Sequence, residues 1–369
     1  MKILILSKRQ YTNKDLLDDQ YGRLWEIPSH LASVGHEIKG VCLSYRKRDN
    51  YTSFFKPSAD KNIEWISFNI FSGFMKYLSC LNQLLRKFKP DVILASSDCF
   101  HVIWGIVLGK TFKVPCVVDL YDNYESYKLS KTTRIIPIYR SALKKADAIS
   151  CVSNPLEKFT ALSCQFKGKI GVIGNAIDKN LFYSRDLFKC RDHFGLLKNI
   201  KIIGTAGRLF EKRGINNLYR AFEELAQLNP NLYLAVVGVG PRDDRVFQHP
   251  NIIDLGVLAY DEIPFFFNML DVAIICNKNN DFGLYCYPQK ANEILACEIP
   301  LVAANVGVMT DMLSEHKEHL FDSENWRDLV GKIQQQLFHP KKLKIRCDIW
   351  SEQAKKMEDL MAMTVKEIG

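Results

Sequence analysis

The 369 residues are 47% hydrophobic and 25% charged, the balance of a globular chain long enough for two domains. No apolar run approaches the ~20 residues of a membrane-spanning helix, and the apolar start KILIL is too short for a signal peptide. The eleven cysteines form no CxxC and no Cys/His spacing suited to zinc, so the expectation is a reducing cytosol without structural disulfides or metal. Net charge is +9 and one-sided, with 31 Lys+Arg against 18 Asp+Glu in residues 1–200, and 19 against 23 after that. Such an excess suggests an anionic partner for the first half: a membrane surface, nucleic acid or a phosphorylated substrate. Plain solubility is the other reading. Nucleic acid is disfavoured because no basic–aromatic module of a known kind is present.

The elements alternate. Residues 2–7 read as a strand. Residues 22–38 read as a helix, with Leu24, Ile27, Leu31 and Val34 at helical spacing and Gly35 as its stop. A strand from Ile38, an amphipathic helix 71–88, a strand 90–96, a helix from His101 and a strand 115–120 follow. Residues 134–146 lead into 147–153, and 169–178 close the half. The pattern restarts with a strand 200–207, a helix 216–228, a strand 232–240, a short strand 251–256, a helix 261–270, a strand 271–276, a helix 289–297 and the strand PLVAANVG. Short apolar strands without alternation are buried on both faces, as in parallel sheets. Two such series predict an α/β chain of two doubly wound, Rossmann-like domains, spanning 1–180 and 199–349. The break is expected at 179–199, which is charged and aperiodic.

Ligands of doubly wound sheets bind beyond the C-terminal strand ends. After 200–207 comes GRLFEKRGI, which carries Gly207, Arg208, Lys212 and Arg213. Clustered cations there suit a phosphate pair, and Arg matches phosphate oxygens bidentately; a solvated turn is the competing reading. The GVGP turn is a weak phosphate-loop signal. Gly256 and Leu258 follow another strand, where their backbone groups suit a base. The polar loop NKNNDFGLYCYP carries Asp281, Phe282, Gly283, Leu284 and Tyr285 and ends at a helix start, a natural anion or hydroxyl site. That helix opens with Lys290 and Glu293.

As an ordered set these motifs resemble the retaining glycosyltransferases of family 4, with the GT-B fold. The second half carries GRLFEKRGI, LGVLAYDEIPFFFNMLDVAI and DFGLYCYPQKANEILACEIPLVAANVG. The first half carries GRLWEIPSHLASVGHEI, KPDVILASS, PCVVDLYDNYES, ADAISCVS and IGNAIDKNLF. IWSEQAKKMEDLM resembles the C-terminal helix that crosses back to the first domain, which adds 350–369 to it. The resemblance spans essentially the whole chain and implies two domains facing across a cleft. It implies that Arg208, with Lys212 or Arg213, binds the diphosphate of a nucleotide sugar. Glu293 would accept ribose hydroxyls, backbone amides around 282–287 would hold sugar and phosphate oxygens, and Lys290 belongs to a P-x-K-x-x-E subgroup.

The chain also departs from the family. The first of two family acids falls at Tyr285, with Asp281 as a substitute from a longer loop. Glu298 stands at the helix stop usually filled by Gly, which implies another cap or strain. The loop after the first strand has only Gly22, next to Arg23, in place of a glycine pair. The acceptor-side His is not evident: Tyr121 and Asp122 stand there, and His101 is near in chain order. Asp122 is thus a candidate catalytic residue beside Arg208 and Arg213, with Gly22, Arg23, His101 and Tyr121 on the acceptor side.

The implied reaction is retaining transfer to a glycan or lipid-linked acceptor in bacterial-type surface polysaccharide or glycolipid synthesis. It needs no cofactor besides the donor, and no metal. No DxD motif is present; LLDDQ and RDD are the paired acids. The apolar face of helix 71–88 reads as core or as a peripheral membrane contact, and an anionic leaflet on the cytoplasmic side is an expected partner. Two alternatives stay open: a degenerate nucleotide-sugar-binding partner subunit, and a sugar-nucleotide epimerase of the same fold.

Overall fold

The computed structural model describes residues 1–11, 14–46, 53–55, 62–242 and 247–368. The acids of the RDD segment, Asp243 and Asp244, lie outside them. The chain divides into two units, Met1–Asn175 with Trp350–Gly369, and Ala176–Ile349.

The first unit runs β1 (Lys2–Lys8), β2 (Gln10–Tyr11), β3 (Lys14–Asp15), α1 (Arg23–Ser33), β4 (Glu37–Ser44), β5 (Ser53–Phe55), β6 (Ile63–Asn69) and α2 (Phe74–Lys87). It continues with β7 (Val92–Ser96), α3 (Cys99–Phe112), β8 (Cys116–Leu120), α4 (Lys128–Thr132), α5 (Ile136–Leu143), β9 (Ala148–Cys151), α6 (Asn154–Cys164) and β10 (Lys169–Val172). Its eight-stranded sheet has the order β10-β9-β8-β7-β1-β4-β6-β5. All neighbours are parallel except β5, which runs antiparallel to β6. β1 lies between β4 and β7, so the winding reverses there. The final helix, Trp350–Ile368, returns to this unit, where Glu358 Oε1 meets His36 Nε2 at 3.0 Å.

Tyr77, Leu81 and Leu85 of α2 are buried. Of the two readings of that helix's apolar face, core packing holds for these three residues, while Phe74, Leu78 and Leu84 are half-buried.

The second unit runs α7 (Leu187–His193), β11 (Lys201–Arg208), α8 (Ile215–Leu228), β12 (Leu232–Val239), β13 (Ile252–Asp254) and α9 (Ile263–Asn268). It continues with β14 (Val272–Ile275), α10 (Gln289–Ala296), β15 (Leu301–Ala304), α11 (Val308–Met312), β16 (Leu320–Phe321) and α12 (Trp326–Phe338). Its sheet is all parallel, in the order β13-β12-β11-β14-β15-β16. Alternate residues of each strand feed two separate cores. Ile202, Ile275 and Ala303 pack on one face, and Ile203, Ile274 and Val302 on the other. This is why these strands show no polar alternation.

The segment 179–199 is no linker. Phe182 and Cys190 are buried in the second unit's core. The Arg191 guanidinium is spent on the carbonyls of Met269, Lys198 and Ile200 and on Asp271 Oδ2 at 2.7 Å. Arg191 reads as surface because Met269 and Asp271 lie 78 and 80 residues on, whereas Lys189, Asp192 and Lys198 are exposed.

Candidate active site

In the second unit the winding reverses between β11 and β14, and a doubly wound sheet binds its ligand at such a point. The predicted donor residues gather there. β11 ends in Gly207 and Arg208, both exposed. Gly207 has φ +119, and a Cβ on Gly238, the neighbouring strand's glycine, would sit 1.8 Å from the Gly207 carbonyl oxygen. Only glycine lets the two strand ends run this close. The loop then turns back at Gly214, with φ +83, where a Cβ would sit 2.8 Å from the carbonyl oxygen of Cys276, just past β14.

The loop after β14 meets the loop after β11. Asn280 Nδ2 donates to the Lys212 carbonyl at 3.0 Å. The Arg213 guanidinium lies over the Phe282 ring, with Cζ 3.1 Å from its centroid, a cation–π contact. Lys212 and Asp281 are exposed, and Leu284 and Tyr285 are half-buried. Gly283 is buried, and a Cβ there would strike the Lys278 carbonyl oxygen at 2.0 Å.

One expectation is corrected here. The amides of Phe282 and Gly283 donate to Asn280 Oδ1. Those of Leu284, Tyr285 and Cys286 donate to the Asn280 and Phe282 carbonyls. They hold the loop's own shape, so they are not turned outward to receive sugar and phosphate oxygens.

α10 starts after Pro288 and brings Lys290 and Glu293 to the same corner. Lys290 Nζ donates to Thr205 Oγ1 at 3.2 Å and to the Ala206 carbonyl at 2.9 Å. Both acceptors are neutral and belong to β11. Burial lowers the Lys290 pKa, and Arg213 adds to the lowering. Glu293 is 5% exposed, and its Oε1 has no hydrogen-bond partner among the described residues. Burial raises its pKa to about 7 against the opposing pull of Gln289 and Lys290. A half-buried ammonium held by neutral oxygens and a buried carboxyl oxygen without a donor are costly alone. Together they suit a ligand that brings anionic oxygens and hydroxyl donors.

Gly256 and Leu258 border the same strand ends. The Gly256 carbonyl accepts the Gly238 amide at 2.6 Å, and Leu258 packs against the core. α10 ends with Glu298 at φ +55, so the left-handed stop is present without its usual glycine.

The first unit has its own reversal between β1 and β7. Lys8 ends β1, with Nζ over the Tyr127 ring at 4.9 Å and the Tyr121 ring at 6.0 Å. Ser97 follows β7, buried at φ +89. Its Oγ accepts the Lys8 amide, its amide donates to Tyr124 Oη, and its carbonyl accepts from Tyr121 Oη. The next residue, Asp98, caps α3 and accepts from Tyr45 Oη at 3.0 Å. Burial opposes its charge, but His101 and Lys8 outweigh burial and hold Asp98 at about 2. Asp122 is half-buried beside this group and accepts from Tyr127 Oη at 3.2 Å. Lys8, Ser97 and Asp98 were missed in the sequence; the readable signal was a strand end followed directly by an N-cap acid.

Two acceptor-side expectations fail here. Arg23 is 1% exposed. Its guanidinium forks onto Asp119 at 2.7–3.2 Å and reaches the Ile173 and Gly174 carbonyls. It ties α1 to the sheet and has no exposed donor to offer an acceptor. His101 is fully buried, with Nδ1 2.8 Å from Asp98 Oδ1, and it positions that acid. Gly22 caps α1 at φ +73, under the Tyr11 ring. Tyr121 is buried, edge-on to Tyr11 and Tyr124. The LLDDQ acids are also engaged: Asp18 pairs with Arg9, and Asp19 accepts the Asp15 amide.

Two doubly wound Rossmann-like units, the second with Lys290 and Glu293 at its switch point, have the architecture of the GT-B class. The family profile described as "Glycosyltransferase Family 4" matches residues 23–181, and "Glycosyl transferases group 1" matches 189–357. The chain belongs to these family 4, GT-B glycosyltransferases.

Among curated relatives, a D-inositol 3-phosphate glycosyltransferase of Stackebrandtia nassauensis is 27% identical over 54% of this chain and 49% of its own length. An N-acetyl-alpha-D-glucosaminyl L-malate synthase of Bacillus anthracis is 20% identical over 78% of this chain and 76% of its own. The chain thus spans about half the length of the first relative. Among solved structures, a sucrose-phosphate synthase from Thermosynechococcus elongatus aligns with a TM-score of 0.73 at 16% identity, covering 100% of this chain and 98% of that one. The Anabaena HepE complex with UDP aligns at 0.67 and 17%, with the same coverage. These structural likenesses bear on the fold.

Proposed function

We propose that the protein is a retaining glycosyltransferase whose second unit holds a nucleotide diphosphate sugar and whose first unit receives a glycan or lipid-linked acceptor. The observation that carries this reading is the pair Lys290 and Glu293 at the β11–β14 switch point, beside Arg208 and Arg213. Glu293 takes ribose hydroxyls, while Arg208, Arg213 and Lys290 take the diphosphate. HepE, solved with UDP, supports a donor of this kind.

In the transfer the C1–O bond to the β-phosphate breaks and its electron pair stays on the diphosphate. The acceptor oxygen bonds C1 on the same face, and its proton passes to the departing phosphate oxygen. The cations stabilise the charge that develops there. No cofactor or metal ion takes part. Asp122 and Tyr121 stand on the acceptor side. The setting is surface polysaccharide or glycolipid synthesis, on the cytoplasmic side of a membrane, with an anionic leaflet as partner of the basic first half.

The test is thermal stabilisation by UDP, GDP, ADP and their sugars, followed by transfer assays. A ligand at 100 times its Kd adds ~2.7 kcal/mol. Arg208→Ala should cost ~10²–10³ in turnover, as loss of a charge-stabilising donor does, and Glu293→Ala should lower turnover through weaker donor binding, because the acceptor for the ribose hydroxyls is gone. Full turnover in both would overturn the assignment.

A further inference from the structure

The one-sided charge of the chain has a concrete location. From Lys128 to Lys145, through α4, a turn and α5, the sequence contains no Asp or Glu. Lys128, Lys131, Arg134, Lys144 and Lys145 are all exposed. The remaining cation, Arg140, is committed to Glu125 at 2.6 and 2.8 Å. Tyr139, Ala142 and Leu143 face inward and fasten α5 to the unit. Leu129 and Ile138 point the other way, 65% and 60% exposed, and Pro137 is exposed beside them.

We propose that this segment, Lys128–Lys145, is the docking surface for an anionic lipid leaflet. The proposal rests on the leaflet partner named above and gives it an address. Cations interleaved with large aliphatic side chains match a headgroup layer above an acyl boundary. Nucleic acid would use the cations but leave Leu129 and Ile138 without a role. α2 offers a weaker match. Its exposed Phe71 and Met75 precede the helix start or lie in its first turn with a single exposed cation there, Lys76, while Arg86 and Lys87 lie in its last turn, about 15 Å away along the axis.

The experiment is co-sedimentation of the intact protein, without donor or acceptor, with vesicles of phosphatidylcholine alone or mixed with phosphatidylglycerol. Binding is expected only to the mixed vesicles, and it should weaken as salt is raised. Combining Lys128→Gln, Arg134→Gln and Lys144→Gln should weaken it about 100-fold, roughly fivefold per charge removed. Leu129→Ser with Ile138→Ser tests the same face without changing charge, and should also weaken binding. Phe71→Ser with Met75→Ser should leave it intact. The proposal is overturned by equal partitioning onto both vesicle types. It is also overturned if the Lys128–Lys145 variants bind as the parent does, or if a single-stranded oligonucleotide displaces the protein from mixed vesicles. Because no substrate is present, such a failure leaves the donor assignment standing.

Discussion

The Glu293 carboxyl reaches a pKa of about 7 because burial penalises its charge. Its folded value is raised from 4.5, so its contribution to stability is full below 4.5 and is lost as pH rises through about 7. Unfolding of the ligand-free protein should therefore show wild type losing roughly 2 kcal/mol relative to Glu293→Gln between about pH 5 and pH 8. Donor affinity should move the opposite way. Ribose hydroxyls favour the ionised form, so affinity rises through pH 7 in wild type and stays flat and weaker in the variant. A wild-type profile as flat as the variant's would mean that Glu293 meets no hydroxyl. Glu298 poses a separate test. A non-glycine residue at φ +55 costs about 1–2 kcal/mol, partly offset by the chain entropy of glycine. Glu298→Gly should raise the melting temperature, by about 1 kcal/mol in stability, with turnover unchanged; a lowered melting temperature would contradict the strain.

Among the elements, those with pure apolar periodicity were legible in sequence, and those whose logic depends on distant partners were not. β11, β12, β14 and β15 were readable because both faces are covered. β6 was missed: in IEWISFN, Glu64 and the serine interrupt the apolar run. The strand is recognisable mainly from its pairing with β4. The α10 corner was legible as a motif, yet the seat of Lys290 on Thr205 and Ala206, about 85 residues away, was not. Arg23 shows the same limit more sharply, since its partner Asp119 lies 96 residues on. That pair tests the corrected role of α1. Asp119→Asn leaves a buried guanidinium without its counter-ion and should cost about 3–5 kcal/mol in chemical denaturation. Were Arg23 an acceptor contact, stability would hold and the acceptor KM would rise.

On the scale of the whole molecule, each unit brings its chemistry to the point where its own sheet reverses. In the first unit that point holds Lys8, Ser97, Asp98 and the tyrosines around Tyr121. In the second it holds Arg208, Lys290 and Glu293. The basic excess belongs to the first half and has its exposed, acid-free stretch in Lys128–Lys145, which begins directly after Tyr127 of the first unit's strand-end cluster. Charge counting located the half, and burial located the face. The central claim is that the second unit's switch point is a nucleotide diphosphate site. Calorimetric titration of the intact protein with UDP, GDP and ADP, in wild type and Lys290→Met, tests it most directly. Saturable binding of one of these to wild type, weakened at least ~10-fold in a Lys290→Met protein that folds as stably, is the predicted result. Equal binding by both proteins, or none by wild type, would contradict it.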